Sequence, residues 1–184
     1  MEATDHTGGR RNTGHAGAGW AAKRADPPDR ALLERLLRFL DYGPRTKAEV
    51  RGRLRRWEYS REIAEDAVAY LESAGLVDDS GFARLYMEQM IAKGFGERRV
   101  REKLLQKGLD RNLVDVTLED YPGESDLERA LGVGEARMRG FDRGDSRAAS
   151  RRIHGFLLRR GYPHDVAREA ARRLSRVDSH DRPE

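Results

Sequence analysis

The chain has 184 residues, of which 38% are hydrophobic and 37% charged, and its formal net charge is +4. This composition argues against one large core, and the absence of cysteine excludes a disulfide framework and a thiolate metal site. No apolar run approaches the roughly 18 residues of a membrane span and the N-terminus lacks a secretory signal, so we expect a soluble, cytoplasmic protein.

Residues 1–29 are predicted to form a disordered leader. They are rich in glycine, alanine, threonine and aspartate, and their acidic and basic residues balance. Only Trp20 is large and apolar, and we expect it to be an idle residue of the leader rather than a docking group. At the other end, residues 179–184 are predicted to be a short tail.

Helical periodicity predicts a first three-helix repeat over residues 30–77. Thr46 opens its second helix, with Glu49 three residues later as a capping box, and Ser60 caps the third. The positions expected to face the core are Leu33, Leu36, Leu37, Leu40, Val50, Leu54, Trp57, Ile63, Ala67 and Leu71.

A second repeat is predicted over residues 78–123. Asp79 is the expected N-cap of its first helix, and Asp110 that of its last. The middle helix, residues 97–107, is followed by Gly108, whose freedom to adopt a left-handed conformation suits a helix C-terminus.

A third repeat is predicted over residues 124–178. Ser125 is expected to cap its first helix, and a glycine-rich, charged stretch over residues 132–145 is predicted to connect this helix to the middle one. Ser146 opens the middle helix, and Pro163 lies in the first turn of the last one.

Four apolar positions recur in register across the three repeats. They are Val50, Val100 and Ile153; Leu54, Leu104 and Leu157; Tyr59, Leu109 and Tyr162; and Ile63, Leu113 and Val166. A period near 50 residues indicates a tandem array that presents an extended face to its partners. Glu58 stands where Gly108 and Gly161 occur in the later repeats. The turn there is expected to differ, or to cost up to about 1 kcal/mol more than with glycine.

The middle helix of each repeat is basic. Residues 45–56, 97–107 and 146–160 carry net charges of +5, +3 and +5, whereas the third helices of the first two repeats each carry −3. These cations could solvate helix faces and pair with acids on the neighbouring helix. Their recurrence in all three repeats instead favours a surface for DNA phosphates or an acidic partner.

The sequence offers no catalytic constellation, and we predict a protein that is not an enzyme and holds no cofactor or metal. His154 and His164 have no carboxylate at ligand spacing. Residues 94–96, Gly-Phe-Gly, are expected to be a turn between helices rather than a phosphate cradle. Asp78 and Asp79 are expected to cap a helix rather than to bind a cation.

Several short motifs occur in a fixed order. They are Asp78-Asp79-Ser80-Gly81-Phe82-Ala83-Arg84, Lys93-Gly94-Phe95-Gly96, Val100-Arg101-Glu102-Lys103-Leu104 and Lys107-Gly108-Leu109, preceded by Leu71-Glu72-Ser73-Ala74-Gly75-Leu76-Val77 and followed by Leu157-Leu158-Arg159-Arg160-Gly161-Tyr162. Together they resemble the signatures of the RecX family, whose members regulate the RecA recombinase. The resemblance covers about residues 31–176. It departs from the family at Glu58, where a glycine is usual, and in the long connection over residues 132–145.

The resemblance implies an all-α fold of three tandem three-helix repeats in an elongated, curved array. It also implies a non-enzymatic protein that binds RecA and the groove of RecA–single-stranded DNA filaments, limits filament extension and blocks recombinase and coprotease activities. Its cellular context would be DNA repair, recombination and the SOS response, and we expect a monomer.

The candidate contacts to RecA or DNA are the outward-facing cations of the middle helices. They are Arg51, Arg55, Arg98, Arg101, Lys103, Arg147, Arg151, Arg152 and Arg159. Because the last helix of the third repeat is basic as well, we expect any DNA contacts to lie mainly in that repeat. The alternative is a stand-alone DNA-binding module in which each middle helix is a recognition helix.

Overall fold

The computed structural model describes residues 26–139 and 146–180, and the side chains of 26–139 and 147–175. Apart from one 3₁₀ turn, Gly123–Ser125, the regular elements within these ranges are α-helices in three successive groups of three, as predicted. They are α1 Arg30–Leu40, α2 Lys47–Arg56, α3 Arg61–Ser73, α4 Asp79–Ala92, α5 Glu97–Gln106, α6 Arg111–Glu119, α7 Asp126–Met138, α8 Ser146–Arg159 and α9 His164–His180. Most of the predicted leader, residues 1–25, and residues 181–184 of the tail lie outside the described residues.

Each group of three helices encloses an apolar cluster of its own. The middle helices α2, α5 and α8 each contribute two side chains that are 0 or 1% exposed: Val50, Leu54, Val100, Leu104, Ile153 and Leu157. The first two recurring positions are therefore core positions in every repeat. Each of these three small cores needs only a few apolar side chains, which agrees with the low share of apolar residues in the chain.

The fourth recurring position lies one residue away from its predicted place. Ile63 is 43% exposed, whereas its neighbour Ala64 is 7% exposed. The equivalent residues of the later repeats, Val114 and Ala167, are fully buried. The buried stripe of α3 runs through positions 64, 67, 68 and 71, which is the i, i+3, i+4, i+7 spacing of a helix face, and Ile63 stands beside it.

The turn after α2 keeps the conformation of its counterparts. Glu58 has φ 65°, close to the 78° and 92° of Gly108 and Gly161. Of the two predicted outcomes, the structure therefore has the second, a left-handed residue that carries a side chain. In the left-handed conformation the Cβ lies too close to the carbonyl oxygen that follows it, and this contact lowers the stability of the fold.

Three helix starts follow the predicted capping chemistry, those of α2, α3 and α6. Thr46 and Glu49 form the reciprocal capping box, and Ser60 accepts a hydrogen bond from the Ile63 backbone N–H. Asp79, however, is the first residue of α4 and not its N-cap. The cap is Asp78, whose carboxylate accepts from the Ser80 N–H at 2.9 Å.

Two glycines of the stretch that was predicted to be a connection, Gly132 and Gly134, lie within α7. This helix continues to Met138, and residues 140–145 of the stretch fall outside the described residues. Gly134 is buried, and a Cβ there would lie 2.4 Å from Cδ1 of Leu174 on α9. The glycine thus permits close packing of α7 on α9, which offsets its low helix propensity. Ser125 precedes α7 without a side-chain capping bond.

Among the described helices, none is both long enough and apolar enough to cross a membrane.

Candidate partner-binding surface

The first two repeats meet where the N-terminus of α2 contacts the C-terminus of α5. The buried hydroxyl of Thr46 donates to the backbone carbonyl of Lys107 at 2.8 Å, and the Lys107 ammonium pairs with Glu49 at 2.8 Å. From the start of α4, the Asp79 carboxylate accepts from the Lys47 backbone N–H at 2.8 Å. Asp79 therefore caps a helix of the other repeat, which explains the second acid of the Asp78-Asp79 pair.

The second and third repeats meet in the same way, through the N-terminus of α5 and the C-terminus of α8. The Gly96 N–H donates to the carbonyl of Arg160 at 2.9 Å, and the Tyr162 hydroxyl donates to the carbonyl of Gly94 at 3.1 Å. Gly161 lies against Arg99 so closely that a Cβ would be 2.4 Å from the Arg99 nitrogen. A glycine is needed here both for its positive φ and for the lack of space.

The two junctions join the three basic helices into one row. At each junction the N-terminus of one middle helix faces the C-terminus of the next. This arrangement opposes the positive end of one helix dipole to the negative end of another. We call this row, α2–α5–α8, the middle-helix row.

In the first two repeats, the middle-helix row pairs with acids of the third helices at equivalent positions. Arg51 of α2 binds Glu65 of α3, with an N–O distance of 2.9 Å. Arg101 of α5 binds Asp115 of α6, and it also contacts Glu97 at 3.2 Å. The guanidinium of Arg51 holds the pKa of the Glu65 carboxyl below its usual value. The acidic helices therefore neutralise one side of the basic ones.

The third repeat lacks this pairing. The positions equivalent to Arg51 and Glu65 are taken by His154 and Arg168, and the His154 ring lies 4.7 Å from that of His164, centroid to centroid. Burial, then the charges of His164 and Arg168, lower the pKa of His154. Two histidines and an arginine thus stand where the other repeats have ion pairs.

The predicted site residues divide by their contacts. Arg98 is exposed but donates to the Leu158 carbonyl across the second junction, and Lys103 donates to Gln106 at 3.0 Å. Arg152 is exposed and has an intramolecular partner. The remaining predicted residues are exposed and form no ion pair with any acid among the described residues: Arg55, Arg147, Arg151 and Arg159. Nothing in the structure tests which of the nine touch a partner, and the set stays a prediction.

A second group of cations was not singled out from the sequence. Arg35 and Arg38 of α1 face Arg45 and Arg53 around a cavity of the first repeat. The only indication of this group in the sequence is that several arginines lie within a few residues of Phe39 and of Trp57. It is easily missed because it comes from two separate helices.

Three family models match the chain in order: the first three-helix domain of RecX over residues 33–71, the second over 78–118 and the third over 124–171. The regulatory protein RecX of Corynebacterium efficiens is 35% identical over 158 residues, which cover 80% of this chain and 73% of that protein. The regulatory protein RecX of Streptomyces coelicolor is 29% identical over 185 residues, which cover 98% and 95%.

The solved structures agree at the level of the fold. The crystal structure of RecX from Lactobacillus salivarius superimposes with a TM-score of 0.66 at 22% identity, over 77% of this chain and 92% of that one. A second crystal structure, of a regulatory protein RecX, has a TM-score of 0.64 at 25% identity and covers 72% and 66%. With three matched domains and three helical repeats in the same order, this chain belongs to the RecX family.

Proposed function

We propose that this chain is a non-enzymatic regulator that binds RecA and RecA–single-stranded DNA filaments and limits their recombinase activity. Its roles would lie in DNA repair, recombination and control of the SOS response, in the cytoplasm. Membership of a family of regulatory proteins supports the proposal, together with the resemblance of the chain's motifs to those of RecA regulators.

The observation that carries the proposal is the middle-helix row. A filament repeats its subunits along an axis, and a partner with repeated, rigidly joined units can contact it over a long distance. The contacts of Thr46 with Lys107 and of Gly161 with Arg99 fix adjacent repeats to one another. Each repeat then adds its contacts without a further loss of rigid-body entropy, which raises the affinity of the whole.

The proposed contact surface combines the nine cations predicted from the sequence. Arg55, Arg147, Arg151 and Arg159 are the main contributors in this proposal because they are exposed and have no acidic partner within the described residues. Exposed guanidinium groups bind phosphates and carboxylates in a bidentate manner without first breaking an internal ion pair.

The test is RecA's ATP hydrolysis on single-stranded DNA, measured with increasing amounts of the purified chain. We expect hydrolysis to fall as the chain approaches equimolar amounts, and a pull-down to recover RecA with the chain in the presence of DNA. Unchanged hydrolysis at equimolar chain would overturn the proposal.

The alternative, a stand-alone DNA-binding module, is favoured by three exposed arginines of the third repeat that have no acidic partner among the described residues, Arg147, Arg151 and Arg159. It predicts binding to DNA without RecA, with an affinity that falls steeply as salt is raised. Titration of a fluorescent oligonucleotide at two salt concentrations, with and without RecA, separates the two functions.

A further inference from the structure

A cavity of about 640 Å³ in the first repeat is lined by four arginines from two neighbouring helices and the turn between them. No acidic residue lines it. The arginines are Arg35, Arg38, Arg45 and Arg53. The volume lies within the range of about 300–1,000 Å³ that is typical of small-molecule sites.

Aromatic rings hold three of the four guanidinium groups in place. Arg35 lies 3.9 Å from the ring centroid of Trp57, and Arg53 and Arg45 lie 4.6 and 4.9 Å from that of Phe39. A cation–π contact of this kind needs no acceptor for the guanidinium N–H groups, so the exposed ones can bind another partner. The charges are thus positioned before any ligand arrives, which lowers the entropic cost of binding.

The four arginines have no acidic partner among the described residues. The Nε atoms of Arg45 and Arg53 are buried and have no hydrogen-bond acceptor. A buried donor without an acceptor is rare in folded proteins and calls for an explanation. The nearby carboxylate of Glu49 is engaged by Lys107 at 2.8 Å and does not neutralise them.

The arginines of this cavity differ from other cations of α2 that are paired with acids. On another part of the same helix, Arg51 pairs with Glu65 at 2.9 Å and Lys47 pairs with Glu72 at 2.8 Å. Arg53, by contrast, has no acidic partner among the described residues, and it lines the cavity together with Arg45 and the two arginines of α1. Four converging guanidinium groups suit a compact, multiply charged anion.

At the cavity's edge, Tyr42 is 84% exposed, and its ring is free to stack on a planar group. We propose that this cavity binds a nucleotide, with its phosphates on the four arginines and its base against Tyr42. The nucleotide can be a free nucleoside triphosphate or part of a single strand, since both present phosphate beside a base. The inference does not depend on the proposed action on RecA.

Calorimetric titration of the full chain tests the site, with ATP, sodium triphosphate and a short oligothymidylate as probes and without RecA. We expect ATP to bind, and Arg45→Gln/Arg53→Gln to weaken that binding by at least about tenfold. The control is Arg111→Gln, an exposed arginine of α6, which should leave the affinity unchanged. Equal ATP binding by the double variant and the unmodified chain would overturn the site.

A second variant tests the contact with the base separately from the contacts with the phosphates, and it should not change the stability of the fold. Because Tyr42 is exposed, Tyr42→Ala should weaken ATP binding several-fold while binding of triphosphate stays constant. If triphosphate binds as tightly as ATP, the nucleotide assignment is wrong. Competition shows which of the two ligands the site binds. If the oligothymidylate displaces ATP, the site binds a single strand; if the oligothymidylate does not displace ATP, the site binds a free nucleotide.

Fluorescence shows whether the ligand sits in the cavity. In a Trp20→Phe background, emission comes from Trp57 alone, the tryptophan stacked on Arg35. ATP should change this emission with the same midpoint as the calorimetric titration. Saturation with ATP without a change at Trp57 would place the ligand elsewhere and contradict the proposal.

Discussion

Gly161, which follows the last turn of α8, is packed against the first turn of α5, where a Cβ on it would lie 2.4 Å from the backbone nitrogen of Arg99. Its φ is 92°, a value that residues with a side chain rarely adopt. The first junction has a parallel feature, because a Cβ on Gly108 would lie 2.4 Å from the Cβ of Ala48. Both junctions therefore depend on a glycine for close contact between repeats.

The variant Gly161→Ala should destabilise the protein by at least about 2 kcal/mol, since it combines left-handed strain with a backbone clash. Thermal or urea unfolding measures the loss. Gly132→Ala is the matched control because no atom lies within 4 Å of a Cβ at this helical position. It should stabilise by about 0.5–1 kcal/mol. Equal stabilities of the two variants would contradict the contact described at the second junction.

Replacement of Glu58 by glycine should act in the opposite direction. The left-handed conformation costs roughly 1–2 kcal/mol for a residue with a Cβ, and the greater freedom of glycine in the unfolded chain offsets about 0.5–1 kcal/mol of the gain. We therefore expect Glu58→Gly to stabilise by up to about 1 kcal/mol in urea unfolding. Glu58→Gln removes the charge and keeps the strain, so stabilisation by Gln as well would mean that the charge, and not φ, is responsible.

The buried acid Asp126 holds the start of α7 against the end of the second repeat. It is 4% exposed and accepts hydrogen bonds from the Tyr121 hydroxyl and the Arg129 guanidinium, both at 2.6 Å. Burial, assisted by the Asp126 carboxylate, raises the pKa of Tyr121. The three groups satisfy one another where the chain passes from the second repeat to the third.

Removal of the acid should leave Arg129 without its carboxylate, and Asp126→Ala should cost about 3 kcal/mol in unfolding free energy. The control Glu128→Ala, an exposed acid on the same helix, should cost about 0.5 kcal/mol or less. Addition of Arg129→Met to Asp126→Ala should recover part of the loss, because no unpaired charge remains. Additive losses in the double variant would argue against a coupled pair.

How much of this architecture the sequence predicts depends on how far apart the interacting residues lie. The capping box of Thr46 and Glu49 spans three residues, and its pattern is sufficient to predict it. The bond from Lys47 to Asp79 spans 32 residues, and no local rule assigns Asp79 to a helix in another repeat. Sequence periodicity located the repeats but could not position them against each other.

The prediction that Ile63 of α3 lies in the core was wrong because it favoured the larger side chain. Ile63 is large and apolar, and it was expected in the core because small residues give a weak periodic signal. The structure buries Ala64 instead, because Ala64 lies on the helix face that also carries Ala67, Val68 and Leu71, and Ile63 lies beside that face. The sequence also did not predict that the cavity's arginines lie close together. The packing of α1 on α2 brings them together, and the periodicity within a single helix does not reveal this packing.

The histidine cluster of the third repeat predicts a pH dependence of stability. The pKa of His154 in the folded protein lies below its ordinary value of 6.5, because burial, His164 and Arg168 disfavour its charged form. The unfolded chain therefore binds the proton more readily, so unfolding becomes easier as pH falls from about 6.5 through the lower folded value. Above 6.5 both states are neutral at this residue, and the effect vanishes.

The melting temperature of the unmodified chain should thus fall more on acidification, between about pH 7 and 5, than that of His154→Gln. The other histidines are common to both proteins, so the difference between the two curves isolates His154. Parallel curves would contradict the lowered pKa.

The predicted contact set can be tested by comparing two pairs of cations on the middle-helix row. From the sequence, charge reversal of Arg151 and Arg152 is expected to weaken binding more than reversal of Arg98 and Arg101. The structure adds a complication, since Arg101 is paired with Asp115 and Arg98 bonds the Leu158 carbonyl. Reversal of that second pair would also disturb the fold, and glutamine is the better replacement.

We therefore expect Arg147→Gln/Arg151→Gln to raise by several-fold the concentration of chain that halves RecA's DNA-dependent ATP hydrolysis, with no change in melting temperature. Each exposed cation that contacts phosphate contributes to the salt dependence of binding, so the variant should also show a shallower dependence on salt. Arg98→Gln/Arg101→Gln should lower the melting temperature and change the inhibition less. If the second pair alone weakens inhibition while the fold stays intact, the contacts lie on α5 and the placement of the surface on the third repeat is wrong.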